Sequence, residues 1–216
     1  DRAIGTDDER ALKQRNALLK YFAANRTFQA DMLELYDHQL SEYAPVIFAA
    51  RSAFAAQFTP MLQEAYEGIS GGREQVELRY ESLLAEQSMA DLLAERLSKD
   101  RVLQFTSAGP HREDLDFTLL GHPLQRVGSQ GQQKSFLIAL KLAAFEVLHQ
   151  ALGRKPILLL DDVFDKLDAQ RVEGLIRMVN DHRFGQIFVS DTHPERTAEL
   201  LKALDQESVV HELTHS

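Results

Sequence analysis

The six residues Ile157-Leu158-Leu159-Leu160-Asp161-Asp162 restrict what this chain can fold into more than any other stretch. Four consecutive apolar residues do not alternate, so they suit a strand buried on both faces of a parallel sheet. Parallel strands need crossover connections, usually helices, and the run therefore implies an α/β layer. The neighbouring sequence agrees. Leu137, Leu140, Ala144, Leu148 and Leu152 set a helical period over 130–152. A helix at 169–182, a strand at 186–190, a helix at 195–204 and a strand at 207–213 are then expected in alternation. The two acids emerge at the carboxyl end of the 157–160 strand, where open α/β sheets place their ligands.

The first hundred residues read differently. A helix over 8–24 carries Leu12, Leu19 and Phe22 on one face. A longer one presents Phe28, Met32, Leu35, Gln39, Tyr43, Ile47, Ala50, Phe54 and Phe58 at steps of three or four, a sustained helical stripe. Together they predict an αα-hairpin arm with that stripe in its core. Pro45 is expected to kink the second helix, and Pro60 to restart a helix ending at Gly68, before a break at Gly71-Gly72. Residues 74–80 alternate as a strand, and a helix over 88–99 has Ser88 as its N-cap. Leu115–Leu119 and Leu124–Val127 flank Gly121-His122 as a hairpin would. The expected organisation is a helical region over 1–100 and an α/β region over 101–216.

Charge and composition narrow the function classes. Net charge is −9. Lys plus Arg against Asp plus Glu is 7 to 8 over 1–60, 4 to 9 over 61–100, 5 to 4 over 101–153 and 8 to 12 over 154–216. No segment is a basic patch able to hold DNA by itself. Cysteine is absent, which excludes disulfides and thiolate metal sites and suits a cytoplasmic setting. No apolar run approaches the ~20 residues that cross a bilayer, so no membrane role is expected.

The chemistry concentrates in three places. In a nucleotide site, Asp161 can hold Mg²⁺ directly or through water, and Asp162 can position or deprotonate an attacking water. Gly128-Ser129-Gln130-Gly131-Gln132-Gln133-Lys134 opens the 130–152 helix, whose free N–H groups and positive dipole end attract anions. Ser129 can cap that helix, and Gly131 allows close approach of a phosphate. An ordinary capped helix would also read this way. Ser190-Asp191-Thr192-His193 puts polar groups at the end of the 186–190 strand.

In their order these stretches resemble the ABC-type ATPase series. Ser129-Gln130-Gly131-Gln132-Gln133 is similar to the signature motif, with Gln130 where transporters carry a glycine. Asp161 and Asp162 close a Walker B-like strand, Leu167-Asp168 is similar to the D-loop, and His193 to the switch histidine. More narrowly, Leu12-Lys13-Gln14-Arg15-Asn16-Ala17-Leu18-Leu19-Lys20, Gly109-Pro110-His111-Arg112, GSQGQQKS at 128–135 and ILLLDDVFDKLD at 157–168 resemble the RecF family.

That resemblance implies an ABC/SMC-type head lobe with a mostly parallel sheet flanked by helices, plus an inserted α-helical lobe II. It implies ATP and Mg²⁺ as cofactors, with Asp161 on the metal and Asp162 and His193 in catalysis. Ser129, Gln130, Gly131, Gln132 and Asp168 would contact nucleotide. An ATP-dependent homodimer would act on DNA at single-strand/double-strand junctions with RecR- and RecO-like mediators, and help load a recombinase. Asp162 stands where transporters carry Glu, one methylene longer.

The family's GxxxxGK[ST] loop does not occur in the 216 residues, and the sequence opens on Asp1, so an excerpt without ATPase turnover of its own is expected. A non-enzymatic scaffold, its 26–58 arm on DNA or a partner, is the competing expectation, and another SMC-like ATPase a third. Two near-motifs carry no weight. Gln133 occupies the position of a P-loop's second glycine, and His211-Glu212-Leu213-Thr214-His215 follows Val209-Val210 as a strand, which separates the two histidines.

Overall fold

The computed structural model describes residues 2–180 (backbone alone for 2–6), 184–191, 202 and 208–211. The expected helix at 195–204 falls almost wholly outside them, and residues 208–211 of the expected 207–213 strand are described but form no strand. The order is α1 (Arg2–Asn25), α2 (Asp31–Ser70), β1 (Val76–Glu81), α3 (Met89–Leu103), β2 (Asp114–Leu119), β3 (His122–Pro123), α4 (Leu124–Val127), α5 (Gln130–Leu152), β4 (Leu158–Leu160), α6 (Ala169–Asn180) and β5 (Ile187–Val189). Strands β1-β2-β3 form one sheet, in which β2 and β3 are antiparallel; β4 and β5 form a parallel pair. Two compact units result, one of residues 1–56 and 78–116, the other of 57–77 and 117–216.

The first unit is built on α1, the first part of α2, and α3. Ala11, Leu40, Ala44, Met89 and Leu93 form one buried cluster, and Leu19, Phe22 and Leu33 another. Over its first part, the buried face of α2 is one residue out of phase with the expected stripe: Leu33, Leu40 and Ala44 are inside and Met32 and Leu35 exposed, whereas Phe58 at the stripe's end is buried as expected. Apolar residues stand at both 32 and 33, so hydrophobicity admits either phase. A polar contact decides it. The buried Arg15 of α1 pairs with Asp37 of α2 at 2.6 Å, and 33, 37, 40 and 44 lie on one helical face. Arg15 also bonds Asp100 at 2.8 Å and Thr106 at 2.9 Å, and Asn16 accepts from the Thr106 amide at 2.7 Å.

Helix α2 continues through Pro45 and Pro60 for 40 residues instead of restarting at the second proline. It runs to Ser70, two residues past the expected Gly68, and stops at the expected break: Gly71 and Gly72, at φ of 72° and 75°, both donate to the Glu67 carbonyl. Ser88 caps α3 by accepting from the Asp91 amide at 3.2 Å. The hairpin is shorter than expected. Leu120 and Gly121, both at positive φ, make its two-residue turn, and β3 stops at Pro123, which lacks an N–H for a ladder. Residues Leu124–Val127 turn into α4 and are not a strand.

In the second unit, α5 buries Phe136, Ile138, Ala139, Leu142, Ala143 and Phe145. Its 23 residues are apolar enough, by length and composition, to cross a membrane, but this face is packed as a core helix's is. Strand β4 departs from the two-sided burial expected of it. Leu158 and Leu160 are inside, while Ile157 and Leu159 are 59% and 64% exposed.

Glycines set the approach of α6 to α2. A methyl group on Gly174 would lie 2.5 Å from the Gly68 carbonyl oxygen and 2.8 Å from that of Ile69. Both obstacles are backbone and cannot rotate away. Gly174→Ala is therefore expected to destabilise the fold by about 1–3 kcal/mol, through overpacking, despite alanine's better helix propensity. Urea unfolding followed by circular dichroism measures this; an unchanged midpoint would show that the helices separate freely.

Candidate functional site

The site begins with the first turn of α5. The Ser129 hydroxyl accepts from the Gln132 amide at 3.3 Å, and the Gln132 side chain accepts from the Ser129 amide at 2.7 Å, a complete capping box. Helix geometry leaves the Gln130 and Gly131 amides without intrahelical acceptors. Ser129 and Gln130 are exposed at the positive end of the helix, where free amides attract anions. Because Gly131 is in a helix, this stretch is not a loop that could wrap phosphates, in agreement with rejection of the P-loop near-motif.

The loop after β4 lies against that turn. A methyl group on Gly131 would sit 3.0 Å from the Lys166 carbonyl oxygen. Asp168 caps α6, accepting from the Arg171 amide at 2.8 Å. Within the loop, Asp162 and Lys166 adopt left-handed φ of 47° and 62°. Asp and Asn tolerate this conformation better than larger side chains because their short polar groups bond locally. The backbone at position 162 is thus a physical reason for Asp rather than Glu.

Asp161 and Asp162 stand at the carboxyl end of β4, as expected, and are organised by β5. The Ser190 hydroxyl donates to Asp161 Oδ1 through a short bond and accepts from the Asp162 amide at 3.0 Å. Lys134 of α5 donates to the Asp162 carbonyl at 2.7 Å. Asp161 is exposed, and Mg²⁺ commonly takes one or two carboxylates together with phosphate and water, so this donor set suits it. Among the described residues, no group of three or more His, Asp or Glu side chains forms a protein-only metal cage. His193 lies outside the described residues, as does 212–215 of the HExxH stretch.

Several participants have no sequence signal of their own. Arg171, 5% exposed, donates to both oxygens of Glu74 at 2.7 and 3.0 Å and to the Ser135 hydroxyl at 3.1 Å. It also faces Asp168 at 3.4 Å. Glu74 accepts further bonds from Tyr66 at 2.6 Å and from Gln132 at 3.0 Å. Burial alone would raise the Glu74 carboxyl, but the bonds from Tyr66, Arg171 and Gln132 outweigh it and hold the group below its ordinary range. Burial and the bond to Glu74 push the Tyr66 hydroxyl well above its ordinary range, so it remains a donor. Gln132, Ser135 and Asp168 belong to the stretches singled out in the sequence, whereas Glu74, Tyr66 and Arg171 do not; Glu74 and Arg171 are 97 residues apart.

No family model matches the chain. Over 198 residues it is 52% identical to the DNA replication and repair protein RecF of Flavobacterium johnsoniae, covering 92% of this chain and 55% of that protein. It is 44% identical over 198 residues to the protein of the same name from Parabacteroides distasonis, covering 92% and 53%. The chain thus spans about half the length of the curated relatives it matches. Among solved structures, it is similar to the recombination mediator protein RecF-ATP of the RecFOR pathway, with 27% identity and a TM-score of 0.74 over 90% of this chain and 54% of that one. The corresponding RecF-ATPrS structure gives 26% identity and a TM-score of 0.73, over 90% and 55%. The expected α/β fold with helical additions is the fold these structures share with it, helix-rich and with small sheets.

Proposed function

The chain belongs to the RecF family, and from that premise we propose that it supplies the signature, Walker B and D-loop parts of a DNA repair ATPase that closes as an ATP-dependent homodimer. Residues 101–216 serve as the head and 1–100 as lobe II, with residues 57–77 falling in the compact unit of 117–216 and residues 101–116 in the other. Family membership supports DNA as a partner, at single-strand/double-strand junctions, and RecR- and RecO-like mediators in loading a recombinase. A cytoplasmic setting fits the absence of cysteine.

The reading rests on one observation above all. The capped turn at Ser129 is exposed at the start of α5, while Asp161 and Asp162 sit at the end of a separate strand. Two kinds of half-site follow. Asp161 would hold Mg²⁺ on ATP bound in cis by a P-loop, and the metal would neutralise charge developing on the transferred phosphate. Asp162 orients the attacking water and takes its proton, with its backbone pinned by Ser190 and Lys134. Ser129 and the Gln130 and Gly131 amides close over the γ-phosphate held by the other subunit, with Gln132 maintaining the cap. Asp168 serves as a nucleotide contact and His193, outside the described residues, as the switch histidine in catalysis.

Ser129→Arg in the full-length protein tests this assignment. It is expected to block ATP-driven dimerisation, measured by light scattering, while nucleotide affinity of the monomer stays within about twofold, since an uncontacted site loses nothing. Loss of monomer binding would mean that Ser129 acts in cis.

A further inference from the structure

The bonds around Arg171 join two motifs that the proposed mechanism uses at different places. Arg171 Nη1 donates to the Ser135 hydroxyl, which donates in turn to the Gly131 carbonyl at 2.8 Å. Its Nη2 grips Glu74, whose Oε1 also receives the Gln132 side chain, and Gln132 closes the cap on Ser129. Its Nε faces Asp168, and its own amide is capped by the same carboxylate. One guanidinium therefore contacts the D-loop and, through two independent routes, both sides of the signature turn. The close seat of Gly131 on the Lys166 carbonyl makes a third link between those segments.

We infer that Arg171 and Glu74 are positioning residues that lock the signature turn and the D-loop into one rigid piece, so that a γ-phosphate engaged by Ser129 and Gly131 is registered at Asp168. This inference rests on the composite-site reading. In a dimer the two sites would then be coupled through each subunit: closing one sets the D-loop that borders the other. Arginine suits the task because its planar fork makes bonds in several fixed directions at once, which a lysine cannot reproduce. Glu74 is the counter-charge that keeps the fork oriented. It remains ionised because its three donors hold its pKa down.

The experiment compares wild type, Glu74→Gln, Arg171→Lys and Arg171→Met in the full-length protein, reading monomer ATP affinity, ATP-driven dimerisation and the Hill coefficient of hydrolysis. Each variant is expected to keep monomer affinity within about twofold and to weaken dimerisation about tenfold or more, as loss of a charged hydrogen-bond pair implies. The Hill coefficient should fall toward one, with Arg171→Lys retaining more coupling than Arg171→Met. A merely structural role would lower thermal stability and monomer affinity together and leave the Hill coefficient of the remaining enzyme unchanged, which overturns the inference. If a single variant fails to fold, Glu74→Gln/Arg171→Met removes both charges together and avoids an unpaired buried ion. Wild-type dimerisation and cooperativity in that double variant would equally overturn it. Should Ser129→Arg block dimerisation while the Arg171 and Glu74 variants behave as wild type, the composite site stands and the coupling alone fails. If wild type itself does not dimerise with ATP, the composite-site reading falls first, and the coupling inference with it.

Discussion

Arg15→Met is expected to unfold the unit of residues 1–56 and 78–116, at a cost of about 3–5 kcal/mol, because it strands buried charge. Arg15 and Asp100 are both 0% exposed, and Asp37 leans on the same guanidinium. Methionine fills much of the arginine's volume, so the loss reports charge rather than a cavity. The lost ion pair would consume a large share of the ~5–15 kcal/mol that holds a typical domain together. Urea titration of helical circular dichroism measures it. A shift smaller than that of an average surface substitution would show that Asp100 finds other partners. Arg15→Met/Asp100→Leu should recover most of the stability, because neutral, well-packed replacements of buried ion pairs often restore it.

Asp162→Asn carries the largest expected effect on activity. In the full-length protein it should reduce kcat about a hundredfold or more, the usual contribution of a positioned general base, with ATP affinity little changed. Asparagine accepts the left-handed backbone at this position as readily as aspartate, so the loop geometry survives and the change isolates the carboxylate. Phosphate release under saturating ATP, with fluorescent-nucleotide binding alongside, separates the two quantities. An unchanged kcat would move the base elsewhere, to a residue such as Asp161 or one outside this chain.

The legible parts of the sequence were those written locally. Ser129 ahead of the 130–152 helix announces an N-cap, and the structure has one, completed as a capping box by Gln132. Gly71-Gly72 announces a helix end for the same reason. Features fixed by distant partners were not legible. The phase of α2 depends on Asp37 meeting Arg15, and adjacent apolar residues at 32 and 33 hide that choice. Continuity through Pro60 depends on packing that overrides proline's local preference, since Phe58 and Leu62 on either side are buried. Glu74 and Arg171 matter through a pair 97 residues apart, which no short motif records.

The stretches Leu12–Lys20 and Gly109–Arg112, which carry the family resemblance away from the nucleotide motifs, also gain a physical meaning. Arg15 and Asn16 from the first meet Thr106, whose carbonyl is bound by His111 of the second at 2.9 Å. They build the polar interior of the helical unit. Their recurrence in a family would follow from folding alone.

The uncovered face of β4 has a consequence for the behaviour of this polypeptide in solution. Among the described residues, Leu159, its β5 partner Phe188 and Ile157 just ahead of β4 are each more than half exposed. Exposed apolar strands are templates for clumping, and here the opposing force is the net charge of −9. That repulsion reaches only about 8 Å at physiological salt and less as salt rises, whereas attraction between apolar faces does not weaken. The isolated chain should therefore be most dispersed in dilute, mildly alkaline buffer and should flocculate as salt is added.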